Sequence, residues 1–171
     1  MEHKGTVSIE TPRLVLRRFN EYDALMAYKN WESDSKVTEF LRWQTYGDVH
    51  ETERVIDEWV RSYQDLSFYQ GAIELKEIGE PIGSISVVEQ DERTNKVHIG
   101  YCIGSRWRHQ GITTEAFKAI IPFLFNEVKA DWSNRGIVNA CMYSLLREEW
   151  LSPCISFKWR RIVYRKRENE R

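Results

Sequence analysis

Three strand-like runs, at about 68–76, 82–89 and 96–104, follow one another in the sequence with only short polar links between them. The links are the turn Gly79-Glu80-Pro81 and the polar stretch 91–95. Antiparallel strands can be joined by links this short, whereas parallel strands need a crossover of roughly a dozen residues or more. The three runs therefore predict an antiparallel meander in the middle of the chain.

Strand and helix patterns also precede the meander. A short strand at 13–19 is followed by Asn20, whose side chain can cap a helix over about 21–31. Asp48 lies three residues before Glu51, which is the spacing of a capping box at a second helix start. The residues after it predict one buried helix face, formed by Val55, Ile56, Trp59, Val60 and Tyr63.

A basic loop and a third helix follow the meander. The loop carries one glycine, Gly111, and the helix after it has apolar residues at helical spacing: Ala116, Ile120, Phe123, Leu124 and Val128. Pro122 lacks a backbone donor and predicts a kink in this helix. An apolar run from Ile137 to about Tyr143 predicts one more strand. The fold class predicted from this order is mixed α/β, with a mostly antiparallel sheet flanked by helices.

The size and composition of the chain exclude several classes of protein. Its 171 residues suit one domain, which we assign to residues 1–150, followed by a tail at 151–171. No apolar run reaches about 18 residues, and the start lacks the apolar core of a signal peptide, so we expect a cytoplasmic protein with no membrane partner. Three cysteines without CxxC spacing favour neither a disulfide framework nor a zinc site.

The tail differs from the body in charge. Residues 1–150 carry 18 Lys or Arg and 24 Asp or Glu, whereas the tail carries 7 and 2. Apolar residues alternate with polar ones in the tail at Ile155, Phe157 and Trp159, which is typical of an edge strand. Basic residues among aromatic ones are also found in proteins that bind nucleic acid, but the short tail and the acidic body disfavour a nucleic-acid partner here.

The segment from Arg108 to Thr113 carries the clearest chemistry. The first amides of a helix are unpaired and lie at its positive end, so a loop that exposes them can bind a pyrophosphate. Gly111 would allow close approach, and Arg106 would add positive charge. The alternative is a simple strand-to-helix turn in which Gly111 relieves backbone strain.

In this context the sequence resembles the GNAT superfamily of acyl-CoA-dependent N-acetyltransferases, in the branch of the Rim ribosomal-protein-alanine acetyltransferases. The family signature is Gln or Arg, two residues, Gly, one residue, then Gly or Ala; Arg108 and Gly111 match it and Thr113 departs at the last position. Other branch-like features are Glu10-Thr11-Pro12-Arg13-Leu14-Val15-Leu16-Arg17, Ile99-Gly100-Tyr101 and Thr114-Glu115-Ala116. The resemblance covers about residues 8–130 and is lost after about Cys141.

The resemblance implies acetyl-CoA as the cosubstrate and a primary amine, protein N-terminal or small, as the acceptor. The diphosphate would lie on the loop amides, and the pantetheine would run beside the strand that ends at Ile103. A main-chain amide near Tyr101 to Ile103 would polarise the thioester carbonyl, which a deprotonated amine would attack directly. The binding residues implied in this way are Tyr101, Cys102, Ile103, Arg108, His109, Gln110, Gly111, Ile112, Thr113 and Thr114.

Two side chains are candidates for proton transfer. His98 lies on the strand before the loop, where this branch often has Glu, and its ordinary pKa of about 6.5 suits a general base. Glu74 and Glu89 are other acids near strand ends. Tyr143 is the candidate general acid, because it lies near the end of a family-like strand. For each of these four residues, the alternative to a catalytic role is a structural one, either packed in the core or exposed to solvent.

The end of the chain is shorter than the resemblance requires. The family's next helix and closing hairpin need roughly 40 residues, and 30 remain after Cys141. A stunted helix with the tail as a strand, a homodimer whose second copy supplies the sheet edge, and a damaged gene product are the three alternatives. Three functions are weighed separately from these outcomes: an N-acetyltransferase, a non-catalytic or degenerate relative that still binds CoA, and a nucleic-acid-associated protein that uses the basic tail.

Overall fold

The computed structural model describes residues 1–39, 41 and 43–132. These residues form a six-stranded sheet in which spatial order follows chain order. Its strands are β1 (Ile9–Glu10), β2 (Leu14–Arg17), β3 (Gln70–Leu75), β4 (Glu80–Asp91), β5 (Lys96–Ile103) and β6 (Asp131–Trp132). The pairs from β1 to β5 are antiparallel, and β6 pairs with β5 in parallel. The predicted meander, β3 to β5, is confirmed.

The turn between β3 and β4 lies earlier than predicted. The chain reverses over residues 76–79, where Gly79 adopts a φ of 65° and donates its amide to the Leu75 carbonyl. β4 already begins at Glu80 and includes Pro81. The strand tolerates this proline because the register shifts between Ile73 and Glu74, so that the missing N–H falls beside a bulge.

The helical elements confirm both predicted caps. Asn20 begins a 3₁₀ turn over Glu21–Asp23 that continues into α1 (Ala24–Ala27) and a π-helical turn (Tyr28–Glu32). The Asn20 side chain accepts from the amide of Tyr22 at 2.9 Å, and the Asp23 carboxylate accepts from the amide of Asn20 at 2.8 Å. The helices after it are α2 (Ser35–Thr38), α3 (Val49–Ser62) and α4 (Ile112–Asn126).

Asp48 caps α3 by accepting from the amides of His50 at 2.8 Å and Glu51 at 3.2 Å. α2 was not predicted; its cap is Asp34, which accepts from the amide of Lys36 at 2.9 Å. α4 continues past Pro122, where the kink stays a prediction.

The two faces of the sheet bury different cores. One face packs against α4 in a cluster that includes Val97 and Ile103 of β5. The other packs against α1 and α3 in a cluster that includes Trp31, Ile56 and Cys102. Neighbouring residues of β5 thus point to opposite layers, and the strand is buried between them.

α4 connects β5 to β6, which begins at Asp131 and pairs with β5 in parallel. The predicted strand from Ile137 to about Tyr143 and the tail at 151–171 lie outside the described residues. Of the helices that the structure describes, none is long and apolar enough to span a membrane.

Candidate active site

The loop between β5 and α4, residues 104–111, begins with a tight contact and ends in left-handed backbone. A Cβ on Gly104 would lie 2.3 Å from the carbonyl oxygen of Asn30, so a larger side chain cannot fit there. A 3₁₀ turn over Ser105–Trp107 follows. His109 and Gly111 then have φ values of 62° and 74°. A left-handed conformation is costly for His109, and it directs the chain abruptly into α4.

The end of this loop and the first turn of α4 contain backbone amides that the described part of the chain does not bond. The Arg108 amide makes a long bond of 3.4 Å to the Ser105 carbonyl, and the first helical bond of α4 runs from the Glu115 amide to the Gly111 carbonyl. The amides of residues 109–114 have no acceptor among the residues that the structure describes. They lie at the positive end of a 15-residue helix. The predicted row of donors is therefore present from His109 onward.

The loop is held from one side by the turn between β1 and β2. Glu115 of α4 accepts from the Thr11 hydroxyl at 2.6 Å, the Arg13 amide at 3.0 Å and Arg13 Nε at 2.7 Å. Arg13 Nη1 also donates to the Gln110 carbonyl at 3.0 Å. Burial of Glu115 opposes its ionisation, but the hydrogen bonds from Thr11 and Arg13 outweigh this and lower its pKa. The acid beside the donor row is thereby neutralised by an arginine.

The opposite side of the loop is held by α2. The Ser105 hydroxyl donates to Asp34, the same carboxylate that caps α2. Arg108 Nη2 donates to the Lys36 carbonyl at 2.8 Å. The loop therefore has fixed connections to both neighbouring segments, which pre-organises the donors between them.

β5 has an asymmetric pattern of pairing. β4 pairs with it as far as Ile103, whereas β6 is seen to pair with it at Lys96 and Val97. The Tyr101 ring packs edge-on against Phe117 of α4, with centroids 5.2 Å apart. The part of β5 nearest the loop, Tyr101 to Ile103, is where the resemblance expects the pantetheine arm.

Cys102 faces the α1 and α3 layer and is buried. Burial raises the pKa of its thiol to about 11, and the charge of Glu32 adds to the rise, although hydrogen bonds from Ser84 oppose it. The thiol is thus protonated at neutral pH and is a poor nucleophile.

His98 lies on the same side of β5 as Cys102. Its side chain is 11% exposed, and its Nδ1 lies 3.0 Å from Oε2 of Glu89 on β4. A register shift between Val87 and Glu89 brings this carboxylate opposite the histidine. A histidine oriented by a carboxylate is a common arrangement for proton transfer.

Glu74, the other acid considered, has a structural role. Arg17 donates a hydrogen bond from Nε to the Glu74 carboxylate. Its two terminal nitrogens donate to the Asp23 carboxylate, at 2.7 and 2.8 Å. Glu74 is therefore part of a network that joins β2, β3 and the turn before α1, and it is not available as a base.

Sequence reasoning missed the residues that position the loop. Thr11, Arg13 and Glu115 belong to the branch-like stretches, but no role followed from the pattern. It also missed Glu32 at the end of the π-helical turn, which is 1% exposed. Burial raises the pKa of Glu32, and the neighbouring Thr52 hydroxyl partly opposes the shift. In the sequence, Glu32 is an acid directly after Trp31, at the end of the predicted first helix.

Comparisons with known proteins agree on one family. The sequence matches the family model for the acetyltransferase (GNAT) domain across residues 13–144. An uncharacterized N-acetyltransferase of Bacillus licheniformis, p20, is 28% identical over 125 residues, which are 71% of this chain and 67% of that protein. YoaA, an uncharacterized N-acetyltransferase of Bacillus subtilis, is 24% identical over 119 residues, 69% of this chain and 66% of that protein.

Solved structures share the fold at lower identity. The ribosomal-protein-S5-alanine acetyltransferase of Vibrio fischeri superimposes with a TM-score of 0.63 at 16% identity, covering 73% of this chain and 70% of that one. The microcin C7 self-immunity acetyltransferase MccE, solved in complex with acetyl-CoA and AMP, gives a TM-score of 0.61 at 16% identity, covering 70% and 66%.

Proposed function

The chain belongs to the GNAT family of acetyltransferases, which are acyltransferase enzymes, and from this we propose that it transfers an acetyl group from acetyl-CoA directly to a primary amine. The fold predicted from the Rim-type resemblance is confirmed. The acceptor, the site residues and the direct mechanism remain our proposal. The single observation that carries it is the row of available amides from His109 to Thr114.

The residues of the β5–α4 loop fit the anionic end of the coenzyme. The amides at the start of α4 would bind the diphosphate. Gly111, in left-handed backbone and without a side chain, would let the diphosphate approach these amides closely. Arg106 and Arg108 supply positive charge at the same end. The nearest acid, Glu115, already pairs with Arg13. This ion pair offsets the negative charge of Glu115 beside the donor row.

Acetyl-CoA, when bound, supplies an acetyl group activated as a thioester. The backbone of Tyr101 to Ile103 would hold that group, with one amide donating to its carbonyl oxygen. The buried, protonated Cys102 thiol favours direct attack by the amine over a covalent intermediate on this residue.

His98 is our proposed general base. It would take the proton of the attacking amine, with Glu89 orienting its ring and stabilising the imidazolium that forms. Tyr143, outside the described residues, stays the proposed general acid for the leaving thiolate.

The proposal is tested by two measurements on the full chain. Calorimetric titration with acetyl-CoA should show binding, and a panel of primary amines should yield free thiol from acetyl-CoA with at least one acceptor. Binding without turnover would identify a non-catalytic relative instead. Absence of heat on titration would refute the assignment of the donor row.

A further inference from the structure

Arg13 brings one guanidinium nitrogen to the start of α4 without a bond to the described part of the chain. Its Nε donates to the Glu115 carboxylate at 2.7 Å, and its Nη1 donates to the Gln110 carbonyl at 3.0 Å. Nη2 has no acceptor among the residues that the structure describes. It lies 3.7 Å from the position that a Cβ on Gly111 would occupy. The unbonded nitrogen is therefore beside the residue that precedes the helix.

The two bonds of Arg13 fix the direction of its third nitrogen, because the guanidinium is planar and its donors form a rigid fork. They hold the side chain in place before a ligand arrives, so little rotamer freedom remains to be lost on binding. The Arg13 side chain is nevertheless 46% exposed. Nη2 is thus a pre-organised donor that a ligand can reach from solvent.

The position of Nη2 coincides with the row of amides at residues 109–114, which includes Gly111 and has no acceptor in the described part of the chain. Amides at a helix start and arginine N–H groups both bind phosphate oxygens. Nη2 adds two N–H donors and positive charge to this row of neutral donors. A ligand that uses both needs several anionic oxygens close together, as in a diphosphate.

The ion pair with Glu115 leaves this capacity intact. Glu115 is the more buried partner, with a side chain that is 18% exposed, and it bonds to the Nε edge of Arg13. A guanidinium has five N–H donors, so it can bond to a carboxylate at one edge and to a phosphate at another.

We propose that Arg13 Nη2 donates to a diphosphate oxygen of acetyl-CoA, which makes Arg13 a binding residue as well as a link between two segments. This inference rests on the proposed function, because it adds a side chain to the amides of the same site. The contact is with the diphosphate rather than the 3′-phosphate, since Nη2 lies beside Gly111 within the amide row.

The first test is calorimetric titration of the full chain with acetyl-CoA and with acetyl-3′-dephospho-CoA, which keeps the diphosphate. The proteins are the wild type, Arg13→Gln, Arg13→Lys and Glu115→Gln. Glu115→Gln breaks the same ion pair but retains the guanidinium. Arg93→Gln is the matched control, because it removes the same charge from an exposed residue between β4 and β5, at the other end of β5 from the loop.

We expect Glu115→Gln to weaken acetyl-CoA binding by about tenfold, because the loop loses its fixed position. Arg13→Gln should weaken it by about 100-fold, because it also loses one charge-assisted hydrogen bond that is equivalent to about another tenfold. Arg13→Lys should bind more tightly than Arg13→Gln, since it restores the charge without the fork. The same factors should hold for the dephospho ligand, and Arg93→Gln should change either affinity by less than about twofold.

The second test uses the wild type and does not depend on the folding of any variant. Phenylglyoxal modifies accessible arginines, and peptide mass spectrometry gives the rate at each position. Acetyl-CoA at about ten times its dissociation constant should slow the modification of Arg13 by about tenfold. S-acetylpantetheine, which has no phosphate, should leave that rate unchanged, and Arg93 should react at the same rate throughout.

Equal affinities of Arg13→Gln and Glu115→Gln for acetyl-CoA would reduce Arg13 to a positioning residue and overturn the inference. So would a loss of affinity seen only with the ligand that carries the 3′-phosphate. Wild type that binds acetyl-CoA and releases thiol with some amine, but leaves Arg13 unprotected, refutes only the role of Arg13. Wild type that gives no heat with acetyl-CoA refutes the proposed function as well.

Discussion

Arg13 and Glu115 form an ion pair with Nε and Oε2 2.7 Å apart, although 102 positions separate them in the chain. The pair joins the β1–β2 turn to the first turn of α4, next to the amides proposed to bind the diphosphate. Because Arg13 also donates to the Gln110 carbonyl, one side chain fixes both the helix start and the loop before it.

Loss of this ion pair should weaken coenzyme binding more than catalysis. In Glu115→Gln we expect the KM for acetyl-CoA to rise by about tenfold with kcat changed by less than about threefold, because the loop loses its fixed position. Steady-state kinetics checks this. Glu53→Gln is the control, since it breaks an exposed pair of similar length, His50 to Glu53 at 2.8 Å, within α3. An unchanged KM would contradict the positioning role.

Gly111→Ala and Gly79→Ala make a matched pair of variants. Both glycines have positive φ, 74° and 65°, and an added Cβ would meet no heavy atom closer than 3.7 Å at either position. Each substitution should therefore destabilise folding by a similar amount, about 1 kcal/mol. We expect only Gly111→Ala to weaken acetyl-CoA binding, by about tenfold in calorimetry, because its methyl faces the diphosphate. Similar affinities for the two variants would argue against this position for the ligand.

His98→Gln should lower kcat by about 100-fold or more if the imidazole removes the amine proton, since general base catalysis contributes about 10²–10⁴-fold. Glu89→Gln should have a smaller effect, because it removes only the orienting group. His50→Gln is the control, as His50 forms a comparable pair with Glu53 at 2.8 Å on exposed α3. The rates are measured as thiol release across pH 6–9. If His98→Gln keeps the wild-type dependence of rate on pH, His98 is not the general base.

Glu32 makes stability depend on pH in an unusual direction for an acid. Its folded-state pKa is raised above the ordinary 4.5, so the folded protein holds this proton more tightly than the unfolded chain. The stabilisation is complete below pH 4.5 and is lost as pH rises through the folded pKa. We expect Glu32→Gln to melt at a higher temperature than the wild type at pH 7, with the difference shrinking toward pH 4.5. Thermal unfolding across this range measures it, and equal Tm values at pH 7 would contradict the burial effect.

The elements that the sequence predicted correctly are those determined by residues close together in the chain. Asn20 and Asp48 begin helical segments because each satisfies amides two or three residues away. The short links between its strands predicted the meander, and the position of Gly111 before α4 predicted the row of amide donors. In each case the physical cause lies within a few residues of the signal.

The remaining features depend on contacts between distant segments. α2 has only four residues, and its Asp34 cap gains a second role from Ser105, 71 positions away. The link from Arg13 to Glu115 and the burial of Glu32 arise only when the sheet brings its two layers together. Hydrophobic periodicity cannot predict such contacts, because the sequence around each of these residues carries no pattern that indicates its distant partner.

The connections from α2 to the loop also bear on how this enzyme can change during evolution or in engineering. Asp34 and Lys36 contact Ser105 and Arg108, so a movement of α2 is transmitted to the loop that we propose binds the coenzyme. Substitutions that shift α2 should therefore alter affinity for acetyl-CoA. Variants in which α2 has shifted should then acquire compensating changes around Ser105.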